Sequence, residues 1–145
     1  MRRVVQLLLG AAIVVAAPSA AWASPGSGVS GTVLAEGTSA GSVETESHGP
    51  TDVAIRRIVI EPGGSTGWHH HTGELVAVVL TGTLTRQLDD CSIRTSTAGQ
   101  AFVEPAGRKH VHIGRNLGSE PVELYVTYLI PAGDQLAVDQ PGPGC

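Results

Sequence analysis

Between Val53 and Ile130 the chain breaks into short strand-like segments spaced about 8–12 residues apart, each closed by Gly, Pro or Asp. This punctuation constrains the fold more than any other feature. Val53, Ile55, Ile58 and Ile60 lie in a β-branched run that ends at Glu61-Pro62-Gly63-Gly64. Trp68 to His71, Leu75 to Leu80, Thr83 to Leu88, Ser92 to Thr95, Ala101 to Glu104, Lys109 to Ile113 and Val122 to Ile130 follow as further segments. Outside the N-terminal leader no stretch keeps a 3.6-residue apolar period, so the pattern predicts an all-β sandwich or barrel with a modest core.

The leader is of a different kind. Arg2 and Arg3 precede an apolar run from Val4 to Ala17, and Ala21-Trp22-Ala23 supplies an A-x-A cleavage pattern. The run is shorter than the roughly 20 residues a membrane-spanning helix needs. Residues 1–23 are therefore expected to be a signal peptide, leaving an exported chain that starts at Ser24 and is secreted, with no stable membrane insertion. Residues 24–52, rich in Gly, Ser, Thr and Ala, predict an extended or poorly ordered arm. Residues 53–131 are read as the barrel. Residues 132–145 form a C-terminal tail expected to lack regular structure, because the segment from Pro131 carries three prolines and three glycines.

Without Arg2 and Arg3, seven basic residues face thirteen acidic ones, a formal charge of −6. That balance argues against nucleic acid and anionic membranes as partners, since both require a basic face. The only cysteines are Cys91 and Cys145. They fit no zinc spacing, and in an exported chain a lone pair predicts a disulfide that ties the tail to the barrel.

Five of the six histidines fall in two clusters, His69-His70-His71 and His110-Val111-His112. A strand alternates its side chains, so His69 and His71 share one face and His70 takes the other; His110 and His112 likewise share a face. Two such strands facing each other across a barrel can converge on one ion, and imidazole suits zinc, copper, iron and nickel. Gly63-Gly64-Ser65-Thr66-Gly67 also satisfies G-x-S-x-G, but a nucleophile elbow requires a strand, a turn and a helix. Here a His-rich strand follows, and a serine hydrolase is set aside.

Two segments resemble the paired motifs of the cupin superfamily. Gly63 followed by five residues and His69-His70-His71, with Gly82 further on, is similar to the first motif; Gly99 through Pro105-Ala106-Gly107, with a later His and Asn116, is similar to the second. The resemblance implies a double-stranded β-helix, or jelly-roll barrel, with a divalent metal (Fe, Mn, Zn, Ni or Cu) held by residues of both motifs. It implies His69 and His71 as ligands, together with His112 by the spacing back from Asn116, or His110 by the spacing forward from Pro105. The first reading treats Arg108 and Lys109 as two extra turn residues. The family's glutamate falls at Leu75, and the nearby carboxylate, Glu74, is one position early, on the opposite face of a strand.

The activities that the resemblance implies run from dioxygenase-like and isomerase-like metal enzymes to non-enzymatic modules that bind a small ligand or a metal, and fold does not choose among them. The expected partner is a small-molecule ligand or substrate, with a homodimer open as an assembly. Trp68, Phe102, Tyr125 and Tyr128 are the only aromatics after the leader, so no stacking-rich pocket is evident.

Overall fold

The computed structural model describes residues 28–145, and the expected signal peptide lies outside the described residues. The chain divides into a unit ending at Thr32, of which only the exposed residues 28–32 are described, and a compact unit from Val33 to Cys145. The latter is all-β, a jelly roll of two five-stranded sheets.

The strands are β1 (Thr38–Ser39), β2 (Thr51–Ile60), β3 (His69–His70), β4 (Glu74–Thr81), β5 (Thr83–Leu88), β6 (Ile93–Thr97), β7 (Gln100–Glu104), β8 (His112–Asn116), β9 (Val122–Pro131) and β10 (Val138–Asp139). One sheet runs β1-β7-β4-β9-β2 and the other β10-β3-β8-β5-β6. Every pairing is antiparallel except that of β1 with β7.

Period-2 alternation places the core. On β4, Leu75, Ala77 and Val79 face inward, and on β9 the same parity buries Val122, Leu124, Val126, Tyr128 and Ile130. The outer side of β4 is apolar as well, with Val76, Val78 and Leu80, which is why Leu75 to Leu80 reads as a continuous apolar run, whereas the outer side of β9 carries Glu123 and Thr127. The edge strand β2 behaves differently. Pairing with β9 from Thr51↔Pro131 to Ile60↔Val122 turns Ile60 and Ile58 inward and leaves Val53 and Ile55 about two-thirds exposed, at 65% and 68%.

Two glycines make the path to the site possible. At Gly73 an added Cβ would lie 1.9 Å from the Leu129 carbonyl oxygen, so only glycine lets the chain pass from His71 into β4 against β9. Gly82, at φ +73°, turns β4 into β5.

The arm and the tail are more engaged than their composition suggests. Arm residues Thr38 and Ser39 extend one sheet beside Gln100 and Ala101. In the tail, expected to be irregular, Val138 and Asp139 pair with His70 and His69, and the Gln140 N–H donates to the Trp68 carbonyl. Backbone pairing needs no side-chain pattern, so composition could not reveal it. The sulfurs of Cys91 and Cys145 sit at bonding distance, with Cα atoms 5.8 Å apart.

Candidate metal centre

Each histidine of the site is placed by its strand. His69 lies directly opposite His112 in the β3–β8 pair, and their rings approach to 4.5 Å between centroids. His71 continues the same face, with its ring centroid 4.8 Å from His69 and 5.2 Å from His112. All three are buried, and their ligand atoms lie within 4.8 Å of one another.

Hydrogen bonds fix which ring nitrogen is offered. Nδ1 of His69 donates to the Gly67 carbonyl at 2.9 Å, Nδ1 of His71 to Leu136 at 2.6 Å, and Nδ1 of His112 to His110 at 2.9 Å. With Nδ1 carrying the proton, Nε2 presents a lone pair inward; a backbone carbonyl behind each ring is the usual support of a metal-binding imidazole. The Nε2 atoms of His71 and His112 are buried and have no aligned hydrogen-bond partner. This donor set fits a divalent ion held by imidazoles.

The other residues singled out by sequence lie elsewhere. His70 is buried on the opposite face of β3, outside the cavity. His110, the alternate ligand, is exposed in the turn where its N–H donates to the Gly107 carbonyl; its own carbonyl, not its ring, serves the site by orienting His112. Arg108 and Lys109 occupy that turn, which shifts the strand start to His112. Glu74 points away from the cavity and accepts a hydrogen bond from the Glu46 N–H at 3.0 Å, as the one-residue offset requires. Asn116 is 1% exposed and satisfies three backbone groups: it donates to the Ile60 and Glu120 carbonyls and accepts from the Gly118 N–H. It locks the end of β8 rather than touching the histidines.

Two charged residues that sequence reasoning missed complete the interior. Glu104 Oε2 lies 3.1 Å from Nε2 of His112 and 3.3 Å from Nε2 of His71. Its other oxygen is 3.4 Å from Nη1 of Arg86, whose guanidinium lies 3.4 Å from the centroid of the Phe102 ring. The signal was present in the alternation: Glu104 shares parity with core-facing Phe102, and Arg86 with core-facing Leu84.

Burial would raise the Glu104 pKa, but His112, His71 and Arg86 outweigh it and hold the carboxyl well below the usual carboxylate range. For His112 burial acts to lower the value, and the Glu104 carboxylate overcomes it and raises the pKa. His69, farther from that carboxylate, is lowered by burial.

Together these residues line a cavity of about 50 Å³ whose remaining wall is mostly apolar, including Leu75, Leu124 and Val126, with Thr66 and Tyr128 also on it. At roughly 10–15 Å³ per water, it holds a few water-sized groups.

Two sheets closing on a buried cluster of imidazoles define a jelly-roll barrel whose three histidines could hold a metal ion. The Cupin domain family model matches residues 56–128, half of the chain, and the protein belongs to the cupin family. DMSP lyase DddQ from Ruegeria pomeroyi DSS-3 is similar in structure, with a TM-score of 0.53 and 19% identity over 61% of this chain and 43% of that one. A recombinant oxalate oxidase in complex with glycolate has a TM-score of 0.51 and 23% identity, over 60% of this chain and 45% of that one. The cupin domain of Schizosaccharomyces pombe Cnp3 has a TM-score of 0.50 and 17% identity, over 59% and 60%. At these identities the likeness is one of fold, and the match spans less than half of the lyase and oxidase chains. No curated protein matches the chain by sequence.

Proposed function

We propose that this protein is an exported metallo-cupin in which His69, His71 and His112 hold one divalent ion, and that it is an enzyme acting on a small molecule beside that ion. The observation that carries the reading is the shared arrangement of the three rings: each gives its Nδ1 proton to a backbone carbonyl, so every Nε2 is free for an ion. A bound ion of this type supplies Lewis acidity and, if it is iron or manganese, a means of engaging oxygen. The chain's own residues set the boundary conditions. The mostly apolar space of about 50 Å³ beside the rings favours a small group at the ion, and an adjoining recess bordered by His69, His71 and Tyr128 leaves room for the rest of a substrate. Arg86, buried beside Phe102, places a positive charge within reach of an acidic substrate.

Export is supported by the N-terminal leader and by the Cys91–Cys145 pairing. N-terminal sequencing of secreted material should begin at Ser24; retention of residues 1–23 in a membrane fraction refutes export.

Elemental analysis of protein from its native host should show one equivalent of a transition metal. Protein reconstituted with that metal should turn over a member of a panel of small organic acids, with oxygen uptake as one readout. Tight metal retention without turnover of any substrate would instead identify a binding module.

A further inference from the structure

We infer that Glu104 is a fourth ligand of the same ion, a carboxylate delivered from β7 in place of the one that the family spacing puts at Leu75 on β4. The inference rests on the three-histidine metal reading and adds a residue that the motifs do not assign. Leu75 and Glu104 are direct cross-strand partners in the antiparallel β4–β7 pair. Residues so paired project from the same face with Cβ atoms about 4.5–5.5 Å apart, so either position can bring a side chain to the same volume. Both line the cavity, and Glu104 is the only carboxylate that does among the described residues.

The contact distances suit coordination. Metal–ligand bonds of about 2.1 Å at angles between 90° and 110° separate neighbouring ligand atoms by roughly 3.0–3.4 Å. The Glu104 Oε2 distances to the two Nε2 atoms, 3.1 and 3.3 Å, fall in that range. These atoms converge without aligned hydrogen bonds at either Nε2. With the Nδ1 protons committed to backbone carbonyls, neutral rings turn nitrogen lone pairs toward the carboxylate oxygen, an arrangement that a cation at its centre satisfies. One proton between Oε2 and a single nitrogen leaves the other nitrogen unserved, whereas one cation serves all three.

The surroundings hold the carboxylate for this role. A buried Arg–Glu pair serving stability alone favours a two-pronged contact. Here Arg86 meets only Oε1, and Oε2 is turned to the histidines. Arg86 is thus a positioning residue, steadied by Phe102 beneath its guanidinium. With Glu104 bound, an octahedral ion keeps two positions for water or substrate instead of three.

The test uses the full mature chain loaded with Mn2+ and Co2+, with affinities taken from chelator competition. Glu104→Gln should weaken binding roughly tenfold or more and alter the Co2+ absorption bands, and Glu74→Gln should change neither. Moving the carboxylate back across the pair, with Leu75→Glu and Glu104→Leu combined, should recover most of the lost affinity. Should Glu104→Gln fail to fold, the wild-type chain labelled with 13C at the glutamate carboxyls decides: Mn2+ pulsed ENDOR should show a strong 13C coupling. Unchanged affinity and spectrum in Glu104→Gln, or no strong 13C coupling in the Mn2+-loaded wild type, overturns the inference and leaves the three-histidine site standing. A wild-type chain that binds neither metal overturns both.

Discussion

The two sheets of the barrel are held together by different means. In the sheet containing β2, β4 and β9, β2 and β9 pair through ten consecutive residues, and Val79, Val122 and Ile130 are fully enclosed. In the other sheet, β3 meets β8 at His69↔His112 alone, and the tail strand adds two pairs. The histidine side compensates with bonds from side chain to backbone: each imidazole is tied to a carbonyl, and Asn116 fastens the end of β8. One half of the molecule carries the apolar core, and the other carries polar groups aimed at a point. Stability and metal binding should therefore respond to different substitutions.

The sharpest break between the halves should come from His112→Ala, which should abolish stoichiometric metal, as measured by elemental analysis after dialysis, and leave a folded barrel. His110→Ala should retain the metal, because its contribution is a backbone carbonyl that alanine keeps. On the apolar side, Ile130→Ala should cost about 2–5 kcal/mol in urea unfolding. The fraction that stays folded should bind metal as before, and a parallel loss of affinity would mean that the two halves are not separable. Cys91→Ser with Cys145→Ser opens a link spanning 54 residues and should cost about 2–4 kcal/mol, seen as a lower Tm than that of the oxidised wild type.

The smallest effect belongs to the outer face of the apolar sheet, where Arg57 Nη2 donates to Glu123 at 2.9 Å. The hydrogen bond from Arg57 lowers the Glu123 pKa below its ordinary 4.5. A depressed carboxylate stabilises the fold above its unfolded pKa, and the contribution disappears as pH falls through the folded value. The Tm gap between wild type and Glu123→Gln should thus be present at neutral pH, shrink in acid below about 4.5, and shrink with added salt.

Much of this was legible in the sequence because alternation along one strand is local information. The parity of His69 and His71 follows from strand geometry, and the spacing from Asn116 selects His112 because a paired strand fixes distance better than a turn does. The turn at Arg108 and Lys109 absorbs the extra length. Glu104 escaped because its importance depends on which strand lies beside β4. Leu75 and Glu104 are remote in sequence, and only the register of β4 against β7 brings them face to face. The exposure of Val53 and Ile55 escaped for a related reason: an edge strand takes its inward parity from its single partner, and composition alone does not say which parity that is.

The acceptor behind His71 is the Leu136 carbonyl, an atom that every amino acid supplies. The tail thus serves the site through its path and not its spelling. Between Pro131, where β9 ends, and the bridge at Cys145, residue 136 needs only to stay apolar, since its side chain packs against the core, but the count of residues is fixed. Removing one residue there would carry a different carbonyl past the ring and, with the bridge closed, turn the imidazole from its aim. Along this stretch the length of the chain matters as much as its residues, which is not what an exposed, proline-rich tail ordinarily shows.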